Sequence, residues 1–390
     1  MEQKMNKRVW AEINLDAIAH NMRAIRDITN KSAKIMAVVK ADAYGHGFLE
    51  VTKTLLENGA DYLAVALVEE ALQLRKNNID VPILVLGGVS YEAVGEMIEN
   101  DIMPSVFSYE FAKIISDEAV KMGKTAKIHI KIDTGMSRIG FLAENEDTIN
   151  EIEKIYNLPS IQIDGIFSHF ACSDEKDTSY THKQFDLFMK VCSELEKRNI
   201  NIPIKHICNS AGIMMYPEMH LDMVRPGIIL YGLYPSDDVD KSKLDLIPAM
   251  SVKADVTHVK NTPAERGVSY GKTYITDKTT KIATVPVGYA DGYSRLLSGK
   301  AEMYVNGENA KVIGRICMDQ CMIDVTNVKN INIGDEVTIF GADTITADDV
   351  ANWIGTINYE IICMIGKRVP RIYISDGKAV KVLNYLNCYN

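Results

Sequence analysis

Eight short apolar runs, each followed by a helix-like or polar stretch, alternate between residue 15 and about residue 235 of this 390-residue chain. The runs cover residues 35–39, 62–66, 83–86, 103–107, 127–132, 163–167, 204–208 and 224–230. Between them, residues 16–28 place Ile18, Met22 and Ile25 on one face at helical spacing, and residues 109–121 and 183–198 read similarly. Such alternation builds either an open doubly wound sheet or a closed barrel. Eight units over about 220 residues match a (β/α)8 barrel, and the count favours it over the open sheet.

The texture changes after Tyr234-Pro235-Ser236-Asp237-Asp238. Residues 252–259, 311–316, 322–325 and 337–340 are short alternating runs with turn residues between them, broken by one helix-like piece at 346–353. Val9-Trp10-Ala11-Glu12-Ile13 alternates too and predicts a strand donated to that later region. The expected architecture is α/β: an N-terminal (β/α)8 TIM barrel over residues 15–240, and a mainly β-strand domain formed by residues 1–14 and 241–390.

Composition excludes several classes. A formal net charge of -9 argues against nucleic acid as the main partner, because phosphate backbones demand basic surface. No apolar run approaches the roughly 20 residues that span a bilayer. The polar start, Met1 to Arg8, lacks the apolar core of a secretory signal. Seven scattered cysteines (172, 192, 208, 317, 321, 363 and 388) suit free thiols in a reducing cytoplasm. Cys317 and Cys321 lack a second pair at ligand spacing, so no metal site is expected. The first seven residues and the tail 386–390 are expected to be loosely held.

The chemistry-bearing residues fall just after the barrel runs, where barrel active sites form. Lys40 ends the first run and leads into Ala41-Asp42-Ala43-Tyr44-Gly45-His46-Gly47. An amine at a mouth where water is partly excluded loses its proton more readily and becomes a nucleophile or base. Arg138 follows the fifth run and His169 the sixth; taken alone, His169 reads as readily as a satisfied core histidine. Asn209 and Ser210 follow the seventh run. They read either as an ordinary helix cap or as a phosphate cup at a helix start. Gly227 lies within the eighth, where it permits close backbone approach to an anion. Further on stand Gly267-Val268-Ser269-Tyr270-Gly271, residues 286–293 with Tyr289, and Ile316-Cys317-Met318-Asp319-Gln320.

In order and spacing these segments resemble the alanine racemase family, from Val9 to about Arg371. The resemblance implies a cytoplasmic homodimer with pyridoxal 5'-phosphate bound as a Schiff base on Lys40, interconverting L-alanine and D-alanine and supplying D-alanine for peptidoglycan. Lys40 and Tyr270 would be the two catalytic bases, with Tyr270 and Met318 supplied by the partner subunit. Arg225 would bond the pyridine nitrogen, with His169 near the ring and Arg225, and Asn209 would be among the cofactor-binding residues. Tyr44, Ser210, Gly227, Ile228 and Tyr359 would form the phosphate set. Arg138 would contact the cofactor phenolate on the substrate side, and Met318 would offer its amide to the substrate carboxylate. Tyr289 and Tyr359 would crowd the substrate side chain, which favours alanine over the alternative of a broad-specificity or serine racemase. Lys131 matches a lysine that is often carbamylated. Tyr270 needs a cationic neighbour to act as a base near neutral pH, and His169 is the candidate.

Overall fold

A computed structural model describes residues 8–387. Among them the chain divides into two compact units: residues 19–43 with 51–246, and residues 8–18 with 44–50 and 247–387.

The strands of the first unit are mostly apolar and mostly buried on both faces, as a parallel sheet covered by helices requires, although two of them carry polar residues such as His129, Lys131 and Asp164. They are β2 (Lys34–Val38), β3 (Tyr62–Val65), β4 (Ile83–Val85), β5 (Ile102–Val106), β6 (Ala126–Asp133), β8 (Ile161–Phe167), β9 (Ile204–His206) and β10 (Met223–Val224); β1 and β7 are described below. Each pairs in parallel with its neighbour; β10 pairs β2 and β5 pairs β6, through Ser105 with His129 and Val106 with Ile130, so the ring closes. The result is a closed eight-stranded barrel, as the periodicity predicts. β7 (Phe141–Leu142) adds to β6 outside the ring.

The helices are α1 (Leu15–Ile28), α2 (Phe48–Glu57), α3 (Val68–Lys76), α4 (Val94–Glu99), α5 (Tyr109–Met122), α6 (Thr148–Tyr156), α7 (Ser179–Lys197) and α8 (Ser210–Met215). Local chemistry sets their ends. Ser108 caps α5 by accepting from the Phe111 amide, and Gly123 closes it in the left-handed conformation.

The eighth strand is shorter than residues 224–230. It stops at Val224, and residues 228–231 form a 3-10 turn. Pro226 has no amide to give a sheet ladder, and Gly227 takes a backbone conformation outside the strand region.

The second unit is built on a ten-stranded sheet. Its strands are β1 (Val9–Asn14), β11 (Met250–Asp255), β12 (His258–Thr262), β15 (Thr280–Val285), β16 (Glu302–Val305), β17 (Glu308–Ile313), β18 (Cys321–Asp324), β19 (Glu336–Phe340), β20 (Arg371–Ser375) and β21 (Lys378–Leu383). A hairpin of β13 (Gly267–Val268) and β14 (Tyr274–Ile275) stands apart from it. β1 lies between β11, antiparallel, and β20, parallel. The run 252–259 is two strands, because hydrogen bonding switches sides at Val256 and Thr257. The Val256 amide donates to Asp335 and the Thr257 amide to Thr284.

α9 (Ala347–Ile354) starts at Thr346, which shares a reciprocal cap with Asp349, and α10 (Asn358–Cys363) follows. Leu386 and Asn387 belong to a short 3-10 turn rather than a loose tail; residues 1–7, Cys388 and the rest of the tail lie outside the described residues. Among the described residues no helix is long and apolar enough to cross a membrane.

Candidate active site

Lys40 leaves β2 through a backbone that is fixed on every side. The β2 end is held by Val38, whose amide donates to Pro226 and whose carbonyl accepts from the Tyr231 hydroxyl at 2.9 Å. After Lys40, the residues Ala41, Asp42, Ala43 and Tyr44 all have φ between 52° and 57°. Left-handed turns of non-glycine residues cost about 1–2 kcal/mol per residue. Glu70 offsets part of that cost: one carboxylate oxygen accepts from the Ala41 amide at 2.7 Å, and the other accepts from Ala66 and Leu67. Neither Tyr231 nor Glu70 is prominent in the sequence, since each acts through a partner remote along the chain.

Arg225, 3 % exposed, follows β10. Its Nη1 donates to His206 Nδ1 at 2.8 Å. Its Nη2 donates to the carbonyls of Ser168 and Ile207 and to His169 Nδ1 at 3.2 Å. Nε has no partner among the described residues. Burial pushes the guanidinium down to about 10, with Arg138 adding repulsion, so it stays protonated at neutral pH. The same surroundings decide His169. Burial, then Arg225, Arg138, Lys131 and Lys40, drive it well below the ordinary histidine range. The expected cationic His169 is therefore corrected: its ring is neutral, and its Nδ1 accepts from a donor-only arginine.

Lys131 points from β6 toward the Phe167 ring, 5.4 Å away, and donates to the Ile132 carbonyl at 2.6 Å. Burial first, then Arg225 and Arg138, push its amine down to about 7. Arg138 is exposed, in a loop shaped by Asp133, whose carboxylate accepts from the Gly135 and Ser137 amides. Buried Gln184 ties that loop to the next, donating to Thr134 and the His169 carbonyl and accepting from the Ala171 amide.

At the β9 end, Asn209 accepts from the Gly212 amide and from Ser173, so its side chain is the cap of α8. The Ser210 hydroxyl accepts from the Gly227 amide at 2.9 Å, which brings those two expected residues together beside Ile228. The donor set fits a pyridoxal phosphate: a strand-end amine, a buried guanidinium with a spare N–H, and hydroxyl and amide groups suited to an anion.

The other expected residues lie in the strand-rich unit. Tyr44 and Tyr359 pack together with ring centroids 6.3 Å apart, and burial pushes the Tyr44 phenol far up. Ser269, at φ 61°, donates its hydroxyl to the Arg315 carbonyl, and the Tyr289 and Ala290 amides donate to the Cys317 and Met318 carbonyls. These bonds gather Tyr270, Tyr289 and Met318, which are 69 %, 44 % and 52 % exposed. A hollow of about 440 Å³ adjoins Tyr270, Cys317 and Gln320. Asp291, beneath them, takes both Nη groups of Arg8 at 2.9 Å and the Gly288 amide at 3.0 Å.

A closed parallel barrel presenting an amine after its first strand, in a chain that also carries a strand-rich unit, defines a class of two-domain barrel enzymes. Family models narrow the class: "Alanine racemase, N-terminal domain" matches residues 13–235 and "Alanine racemase, C-terminal domain" matches residues 249–373. The alanine racemase of Clostridium novyi (strain NT) is 52% identical over 97% of this chain and 98% of its own. That of Methanococcus maripaludis is 53% identical over 94% and 98%. Among solved structures, alanine racemase from Clostridium difficile 630 superposes with a TM-score of 0.96 at 45% identity, covering 98% of this chain and 100% of that one. The Bacillus anthracis alanine racemase with bound L-Ala-P gives 0.92 at 40%, covering 98% and 99%. The chain belongs to the alanine racemase family, a family of isomerases.

Proposed function

We propose that this chain is an alanine racemase that interconverts L-alanine and D-alanine with pyridoxal 5'-phosphate, supplying D-alanine for peptidoglycan. The bound cofactor supplies the electron sink that makes the α-proton of the amino acid acidic. Lys40 holds the cofactor and moves the proton on one face, and the partner subunit's Tyr270 moves it on the other. Two bases on opposite faces invert the centre without the substrate turning over.

The observation that carries this reading is the setting of Arg225. Its described partners are neutral acceptors, and its Nε–H is left to meet the pyridine nitrogen. A donor-only cation opposes protonation of that nitrogen and so limits the electron sink. A carboxylate there would do the opposite and favour deeper chemistry such as decarboxylation. Ser210, Gly227 and Ile228 in the barrel unit, and the Tyr44–Tyr359 pair in the strand-rich unit, are proposed as phosphate contacts, with Asn209 bracing the first set as a helix cap. Arg138 is proposed for the phenolate side, Met318 for the substrate carboxylate, and Tyr289 with Tyr359 as the limit on substrate size. Residues 15–240 would then be the cofactor-binding domain, with 1–14 and 241–390 as the other.

Lys131 is proposed to carry a carbamate. An amine pushed down to about 7 is partly neutral at physiological pH, as attack on carbon dioxide requires, and Arg225 and Arg138 would favour the resulting anion. Exposure of Tyr270, Tyr289 and Met318 supports a homodimer, because a lone protomer leaves these groups in water. Sedimentation of the active enzyme should give only dimer; a fully active monomer overturns that reading.

The deciding experiment is absorbance of the purified protein with added cofactor, then alanine in deuterated water followed by circular dichroism and NMR. A visible cofactor band, loss of ellipticity and α-deuteration are expected, and Lys40→Ala should abolish all three. Exchange on serine but not alanine moves the assignment to another racemase. A wild-type protein without a band removes Lys40 from its role.

A further inference from the structure

Behind Arg225 runs a chain of buried polar groups that the proposed chemistry does not use. His206 Nδ1 meets Arg225 Nη1 at 2.8 Å, and His206 Nε2 meets His129 Nδ1 at 3.0 Å. His129 Nε2 is buried without a hydrogen bond among the described residues, and it faces Asp164 Oδ2 at 3.8 Å. Asp164 lines a cavity of about 320 Å³ with Tyr62, Pro82, Ala126 and Lys127. Those residues open or precede β3, β4 and β6, so the cavity lies at the N-terminal ends of the barrel strands. The chain therefore joins the base of the barrel to the guanidinium after its last strand.

Arginine fixes the direction of every proton along the chain. A guanidinium only donates, so His206 Nδ1 must accept. The proton of neutral His206 is then on Nε2 and is given to His129 Nδ1. The proton of neutral His129 is therefore on its own Nε2, aimed at the Asp164 carboxylate. Burial lowers His129 below its ordinary range and drives His206 well below it, which keeps both rings neutral. Two hydrogen-bonded donors and a third N–H, 3.8 Å short of the carboxylate, point toward one anion, and such aligned groups polarise one another in a low-dielectric interior.

The fold makes room for this arrangement. The β6–β8 register shifts between Ile128 and His129. Gly165 has no side chain to strike the His129 ring, which a Cβ there would overlap. Phe167 stacks on His206 with centroids 4.9 Å apart and an interplanar angle of 11°, and it meets His129 edge-on.

We propose that Asp164, His129 and His206 are positioning residues for Arg225: they lock its fork in one orientation and transmit the Asp164 charge to it, which strengthens its hold on its proton. The inference rests on the reading of Arg225 as partner of the cofactor nitrogen. Asp164 is the distal counter-charge of a guanidinium whose described contacts include no carboxylate.

The test is long-range proton–nitrogen NMR of holoenzyme labelled with nitrogen-15 histidine, together with alanine kinetics, on wild type and Asp164→Asn. Wild type should show His206 and His129 neutral and protonated on Nε2. Asp164→Asn keeps an acceptor and removes the charge. It should shift the His206 Nε2 resonance, although His206 does not touch residue 164, and lower kcat about tenfold with KM within about twofold, the size of a lost charge-assisted bond. A His206 ring protonated on Nδ1 or doubly protonated overturns the proposal. So does an unmoved His206 signal or an unchanged kcat in Asp164→Asn. Wild-type protein that never racemises alanine refutes the proposed function instead, and the histidine spectra judge the chain of bonds separately.

Discussion

Replacing Arg371 should unfold much of the strand-rich unit, for a reason visible atom by atom. The side chain is 1 % exposed, and its donors are spent on backbone. Nε donates to the Gly45 carbonyl at 2.9 Å, Nη1 to Gly366 at 2.7 Å and Val369 at 2.5 Å, and Nη2 to Ile365 at 2.6 Å. In Arg371→Met the stem still fills space, but four carbonyls lose a donor. Each unsatisfied buried group costs about 1–3 kcal/mol. The Gly366 carbonyl keeps the Val369 amide, so three are left unsatisfied. Three give about 3–9 kcal/mol, and the desolvation returned by removing a buried cation offsets about 2 kcal/mol of that, leaving a net loss of about 1–7 kcal/mol. That is a large share of the roughly 5–15 kcal/mol that holds a domain together. Arg371→Lys should lose about half as much, because an ammonium has three donors and no fork.

The assay is urea unfolding at fixed protein concentration in a Trp353→Phe background. Trp10 is then the reporter, 1 % exposed in β1 beside Ala11, which pairs with Arg371. Gly45 belongs to the loop that follows Lys40, so cofactor retention should fall as well. A midpoint shift worth less than about 1 kcal/mol would falsify the carbonyl accounting.

Two further outcomes follow from the barrel unit. Glu70→Ala removes the acceptor of the Ala41 amide in the left-handed turn after Lys40 and of the Ala66 and Leu67 amides that anchor Glu70 at the next strand end; it should cost about 1–2 kcal/mol and weaken cofactor binding at least several-fold, measured by equilibrium dialysis, while intact affinity would mean that the turn holds itself. For Lys131, bicarbonate-free buffer isolates the free amine. Its pKa is about 7 folded against the ordinary 10.5 unfolded, so between those values the unfolded chain carries the extra proton and folding stability rises with pH. Relative to Lys131→Met, wild type should gain up to about 1.4 kcal/mol per pH unit over that window, and a flat difference would place the amine in water.

The barrel was legible because its signal is repeated and local: eight apolar runs buried on both faces can be counted without knowing their partners. The strand boundaries failed where one residue overruled the pattern. Pro226 ended β10 early, and a change of hydrogen-bonding partner at Val256 and Thr257 split one alternation into β11 and β12. The residues at the strand ends were found through resemblance to a family more than through physics. The residues that hold them were not found at all. Glu70, Gln184, Tyr231 and Arg371 each act on at least one atom far away in sequence, Ala41, Thr134, Val38 and Gly45 respectively, and a single chain shows no trace of such pairs. Tyr231 is an example: its sequence neighbourhood reads as strand, yet it is the last residue of a 3-10 turn and donates to the carbonyl of Val38.

His169 shows why charge is harder to read than position. Its place after β8 follows from the strand pattern, but its protonation depends on four cations drawn from three strands and the loops after them, β2, β6 and β10. Lys40, Lys131, Arg138 and Arg225 all push the ring toward neutrality, on top of burial. The same excess of positive charge lowers Lys131 and, through Arg225, His206. One nearby carboxylate, Asp133, accepts two amides of its own loop, and Asp164 reaches Arg225 only through two imidazoles. A site so short of anions is incomplete on electrostatic grounds. It calls for negative groups from outside the chain, and a phosphate and an amino-acid carboxylate are of the right sign. Neutral histidines are the consequence of that design, since a further cation would raise the cost of a site already held together against repulsion. A base on the opposite face must therefore draw its stabilising cation from the arginines or the lysines, not from His169.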